Sequence, residues 1–254
     1  MSGTRRALLV AAAWLLAGRA AAAELPELVA AAKPSVLPVG TYNATDSPRF
    51  SFRGTGFVVG DGSLLATNAH VLPEGAGADS GPQLVAMVTR GGSENALRRL
   101  RVVALDRPRD LALLSIEGAP LTPLVLAEDG SAREGQSVAL IGYPIAGILG
   151  FAPVTHRGII ASITTAAQPA PTARVLDPRA LTKLREGNFE VYQLDATAYP
   201  GNSGGPLIDA TNGRVLGIVN MVLVKGSRES ALSSPTGITY AIPITHLRDL
   251  LRTR

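Results

Sequence analysis

The feature that most constrains this chain is its punctuation. Short apolar runs of strand length recur from residue 56 to 242, and Gly, Pro, Asp or Asn flanks most of them. The runs are Gly56–Val59, Leu64–Thr67, Leu84–Thr89, Arg101–Leu105 and Leu111–Ile116. After a polar break at Glu128-Asp129-Gly130 they resume at Ser137–Ile141, Gly158–Thr164, Val191–Leu194, Pro206–Ile208, Val215–Val224 and Ile238–Ile242. Such runs, many holding β-branched residues, read as strands rather than helices. Gly60-Asp61-Gly62 and Thr211-Asn212-Gly213 read as tight turns, the second with the Asn-Gly pair that favours a hairpin. The 27 glycines and 18 prolines fit many turns. The pattern predicts an all-β chain of about a dozen strands, split near residues 127–136 into two sets that would form two packed barrels or sandwiches. Leu25, Leu28, Val29 and Ala32 have helical spacing, with Pro34 as the stop. A second helix is expected at the end, capped by Thr245, with Leu247, Leu250 and Leu251 on one face. Ala166–Asn188 lacks strand periodicity and reads as a long loop.

The first 23 residues read as an address. Arg5 and Arg6 precede the apolar run Ala7–Ala17, and Ala21-Ala22-Ala23 offers small residues for cleavage, the pattern of a secretory signal peptide. The run is shorter than the roughly 20 residues of a spanning helix. Three of the chain's 24 basic residues lie in this acid-free segment, so its removal takes the net charge from +4 to +1. Neither nucleic acid nor a membrane surface is then an expected partner, and the mature protein is expected in the bacterial periplasm or outside the cell. The absence of cysteine excludes disulfides, a thiol nucleophile and cysteine-ligated metals. Three histidines, widely separated, offer no metal-ligand spacing, and no cofactor is expected.

The chemistry concentrates at Gly201-Asn202-Ser203-Gly204-Gly205-Pro206. A serine hydroxyl needs a neighbouring base to become a nucleophile, and glycines beside it allow a tight turn that presents amides inward. The Gly201 and Ser203 amides are the expected oxyanion donors. Of the three histidines, His70 lies where an apolar strand runs into a turn. His156 sits beside Arg157 at the start of a strand, and His246 in the terminal helix. An orienting carboxylate is then needed. Asp110 opens the apolar run Leu111–Leu114. Asp106 reads as a turn residue before Arg107-Pro108, and Asp195 lies close to the serine in sequence.

The order His70, Asp110, Ser203 with these surroundings resembles the chymotrypsin-like serine proteases, and more narrowly the bacterial HtrA (Deg) protease domain. The resemblance is carried by Gly54-Thr55-Gly56-Phe57-Val58-Val59, Thr67-Asn68-Ala69-His70-Val71, Asp110-Leu111-Ala112-Leu113-Leu114, Gly142-Tyr143-Pro144 with Arg157–Ser162, Asp195–Leu207 and Tyr240-Ala241-Ile242-Pro243. It implies two six-stranded antiparallel β-barrels, at about 36–126 and 127–243, with short N- and C-terminal helices, the latter at 244–252. It also implies peptide-bond hydrolysis on polypeptide substrates, with unfolded or misfolded proteins as the expected class. By the same resemblance Thr197 forms the base of the S1 pocket, where it offers no buried charge to Lys or Arg. Val219, Asn220 and Met221 form the strand that faces the substrate. Small or aliphatic P1 residues are therefore expected. The family usually carries PDZ domains, which are not expected here because the chain runs only about ten residues past Pro243. A homo-oligomer is left open: Tyr42, Phe50 and Phe52 read as core aromatics, with packing between subunits as the alternative. A catalytically silent binding module and a non-peptide hydrolase using the same triad are the competing readings.

Overall fold

The computed structural model describes residues 24–74, 82–90, 94–144, 150–165, 189–220 and 238–253. The expected signal segment, Met221 and the long 166–188 loop lie outside them. The described chain begins with helix α1 (Leu25–Ala32) and a 3₁₀ turn (Lys33–Ser35), so Pro34 sits inside a tighter turn rather than at a bare stop. Six strands follow: β1 (Val36–Tyr42), β2 (Phe50–Val59), β3 (Leu64–Asn68), β4 (Gln83–Arg90), β5 (Glu94–Asp106) and β6 (Leu111–Ile116). They close into a barrel in the order β1-β2-β3-β6-β5-β4. Six more strands form the second barrel: β7 (Ser137–Gly142), β8 (Val154–Thr165), β9 (Glu190–Asp195), β10 (Pro206–Asp209), β11 (Val215–Asn220) and β12 (Ile238–Pro243). Their order is β10-β11-β12-β9-β8-β7, and every strand pair in both barrels is antiparallel. The all-β, two-barrel architecture expected from the sequence is the one observed.

The packing explains the unbroken apolar runs. Side chains alternate across a strand, and in β6 both faces are buried. Ala112, Leu114 and Ile116 point into a core within the first barrel, with Leu65, Val39 and Val58. Leu111 and Leu113 point the other way, into a larger core that also holds Leu140, Leu207 and Ile218 of the second barrel. The larger core is thus shared by the two barrels, while the first barrel keeps a smaller core of its own. Tyr143 adds a polar strut between them: its hydroxyl donates to the Val36 carbonyl at 2.9 Å, and burial pushes its pKa up to about 12.

The segment between the barrels runs beside β11, where the Ala127 amide donates to Val215 O and the Val215 amide to Val125 O, each at 2.9 Å. The final helix α2 (Ile244–Arg252) seals this side. Leu247 is buried in the shared core, and Arg248 donates to the Ala127 carbonyl. Thr245 does not cap this helix: it begins one residue earlier, with Pro243 at the N-cap and no side-chain cap bond. The Asn212-Gly213 hairpin joins β10 to β11. Asp209 organises it, accepting hydrogen bonds from the Thr211 amide and hydroxyl and from the Asn212 side chain.

Candidate active site

Both halves of the candidate site lie at the seam between barrels. On the first-barrel side, β3 ends at Asn68 and the chain turns through a 3₁₀ turn, Ala69–Val71, that carries His70. Arg53 of β2 holds this turn from behind, donating to the carbonyls of Val71 at 2.5 Å and Leu72 at 3.0 Å.

Asp110 precedes β6 and meets His70 twice. Its Oδ1 accepts the His70 amide at 2.8 Å, and its Oδ2 lies 2.5 Å from His70 Nδ1. Both side chains are mostly buried, at 25% and 22% exposure, so the pair is only partly screened by water. The Asp110 carbonyl accepts from the Ala69 amide and from the Asn68 side chain. Asp110 adopts φ 56°, the only positive φ outside glycine among the described residues. Aspartate tolerates this region better than most residues, and such strain gathers at functional sites. The turn before it is built by Asp106, whose carboxylate takes the Arg109 amide and guanidinium. Asp106 thus acts as a turn residue.

On the second-barrel side, the segment after β9 turns through Gly201 and Gly204, with φ of 104° and 85°, a region open to glycine. At Gly204 a Cβ would meet Thr55 O at 2.1 Å and Thr67 Oγ1 at 2.3 Å. The turn carrying Ser203 therefore lies directly on the strands leading to His70. Ser203 itself is buried, and its carbonyl accepts the Thr55 amide at 2.9 Å. The Asn202 amide donates to Tyr199 O, which closes the turn.

Two of the residues expected to face the substrate also make contacts inside the site. Val219 is wholly buried, and its backbone is already used: its amide donates to Gly205 O and its carbonyl accepts the Gly204 amide, each at 2.9 Å. It braces the serine turn. The Asn220 side chain donates to Asp110 Oδ2 at 2.8 Å. That oxygen thereby receives both His70 and Asn220, which fixes the carboxylate. The two residues stand 110 positions apart, so no local motif announces the contact. Thr197 is half-buried between β9 and the turn.

The other titratable candidates lie elsewhere. His156 on β8 packs against the Tyr199 ring, centroids 5.9 Å apart, and burial lowers its pKa. His246 meets the Phe189 ring edge-on and is also lowered, chiefly by burial. Asp195 is exposed at the end of β9. Among the described residues no group of three His, Cys, Asp or Glu could hold a metal, and no helix is long and apolar enough to cross a membrane.

Residues 54–218, more than half of the chain, match the family described as the trypsin-like peptidase domain. The chain belongs to this family. Its relatives are of the HtrA and Deg type. It is 31% identical over 208 residues to a probable periplasmic serine endoprotease, DegP-like, of Chlamydia trachomatis, covering 82% of this chain and 34% of that protein. It is 29% identical to the human serine protease HTRA3, covering 75% and 35%. The chain thus spans about a third of the length of these curated relatives. Among solved structures, the HtrA-type protease AlgW with tripeptide superposes with a TM-score of 0.62 at 24% identity, covering 91% of this chain and 63% of that one. Deg5 gives the same TM-score and identity, covering 88% and 90%. These last two likenesses speak for the fold.

Proposed function

We propose that the chain is a serine endopeptidase in which Ser203 is the nucleophile, His70 the general base and acid, and Asp110 the residue that orients His70. The observation that carries this reading is the 2.5 Å contact between His70 Nδ1 and Asp110 Oδ2. With Nδ1–H given to the carboxylate, Nε2 is left as the acceptor for a hydroxyl proton. Ser203 Oγ attacks the scissile carbonyl while its proton passes to His70 Nε2. That proton then goes to the leaving amine, and water repeats the cycle on the acyl-enzyme. The Gly201 and Ser203 amides receive the oxyanion.

The substrates are polypeptides, with unfolded or misfolded chains as the proposed class. Thr197 at the S1 base, a neutral residue where an aspartate would favour Lys or Arg, favours small or aliphatic P1 residues. Cleavage of the first 23 residues would deliver the enzyme to the periplasm or beyond, consistent with the periplasmic name of the DegP-like relative.

Labelling of the purified protein with a fluorophosphonate, paired with casein digestion, tests the assignment. Wild type should take the label and Ser203→Ala should not, with turnover lower by on the order of 10⁶. An unlabelled, inactive wild type would support a silent binding module. Labelling that persists in Ser203→Ala would remove Ser203 from its role.

A further inference from the structure

We infer that Thr55 is a positioning residue for the oxyanion site, acting from the first barrel on a turn of the second. The inference rests on the serine-hydrolase reading above. The sheet has a gap here: β3 pairs with β2 only from Phe57 onward, at Phe57↔Ala66. Two residues earlier, the backbone of Thr55 has other partners. Its amide donates to Ser203 O at 2.9 Å, and its carbonyl accepts the Thr67 hydroxyl at 2.7 Å.

The wholly buried side chain does more. Thr55 Oγ1 donates to Gly201 O at 2.6 Å and accepts the Tyr143 amide at 3.1 Å. A hydroxyl has one proton to give, so with Tyr143 N–H filling a lone pair, that proton is committed to Gly201. The peptide joining Gly201 to Asn202 is then held at both ends: its carbonyl by Thr55 and its N–H by Tyr199 O at 3.0 Å.

This matters because Gly201, with φ 104°, is free to rotate in a way other residues are not. Rotation there swings the proposed oxyanion donor. Fixing the peptide that follows, and the Ser203 carbonyl two residues on, anchors the backbone on both sides of the Ser203 amide and the carbonyl side of Gly201, which limits how far the two donors can drift apart. Preorganised donors of this kind stabilise the transition state rather than the bound substrate. Thr55 touches neither substrate nor reacting atoms in this role.

Thr55→Val removes the hydroxyl at nearly constant shape, and Thr55→Ser keeps it. The measurement is fluorophosphonate labelling, resolved into a binding constant and a maximal rate, with circular dichroism to verify the fold. Thr55→Val should lower the maximal rate about 10–100-fold, short of the 10²–10³ for losing a donor outright, with the binding constant within about twofold. Thr55→Ser should recover most of the rate. If valine prevents folding, Thr55→Ala against Thr55→Ser makes the same comparison. A folded Thr55→Val labelled at the wild-type rate, or a Thr55→Ser as slow as the valine variant, overturns the inference while leaving the serine reading intact. A wild type that takes no label overturns both.

Discussion

The two limbs of the site are built from different materials. The His70–Asp110 limb is held by side chains: a carboxylate that takes the His70 amide, the His70 ring and the Asn220 amide group. Among the described contacts the Ser203 limb is held largely by backbone, through Thr55 N to Ser203 O, Gly204 N to Val219 O and Val219 N to Gly205 O, with the Thr55 hydroxyl adding a side-chain bond. The difference teaches where each limb is vulnerable. The first should lose chemistry without losing structure, since the partners of a carboxylate can be altered one at a time. The second should lose structure first, because its bonds depend on glycine conformations and on close approach.

Asp110→Asn is the sharpest blow to the first limb. An amide cannot hold His70 in the tautomer that leaves Nε2 free to accept, and maximal turnover should fall about 10⁴-fold, the loss that such a change brings in a well-characterised serine protease triad. The thermal midpoint should move little by comparison, since asparagine also tolerates positive φ. A large loss of folding here would erase the distinction between the limbs.

Gly204→Ala attacks the second limb. It adds a methyl within 2.1 Å of Thr55 O at φ 85°. Backbone strain costs about 1–3 kcal/mol, and overpacking typically adds about 1–3 kcal/mol. The urea midpoint should drop together with activity, in contrast to Asp110→Asn. A stable but inactive Gly204→Ala would show that the serine turn can distort without unravelling.

His156→Gln gives the smallest effect and sharpens the comparison at its edge, beside Tyr199. Burial holds the His156 pKa below 6.5, so the unfolded chain binds the proton more readily. Its contribution to stability is whole above pH 6.5 and is lost progressively as pH falls below that value. Thermal midpoints from pH 7 down to pH 5 should fall less steeply in the variant. An unchanged slope would place the acid sensitivity elsewhere, with His246, also lowered, as the next group to replace.

Legibility in the sequence followed distance along the chain. The runs of β3, β6 and β10 are strands because each is uninterrupted and apolar on both faces. The first strand, Val36–Tyr42, does not announce itself: Pro38 and Gly40 break its pattern. It pairs nonetheless with β2 and β4, with a bulge between Val39 and Gly40. The surroundings of His70, Asp110 and Ser203 were readable because each motif is local. What holds those motifs was not. Asn220 reaches Asp110 across 110 positions, and Thr55 reaches Gly201 across 146. Such contacts exist only once two barrels have docked. The capping role expected of Thr245 failed for a simpler reason, since the helix starts before it.

The strut from Tyr143 to Val36, set beside a core drawn from both barrels, bears on cooperativity. The shared core loses its packing when either barrel departs, and the phenol loses its acceptor. Two units in space should therefore unfold as one, with a single transition in calorimetry.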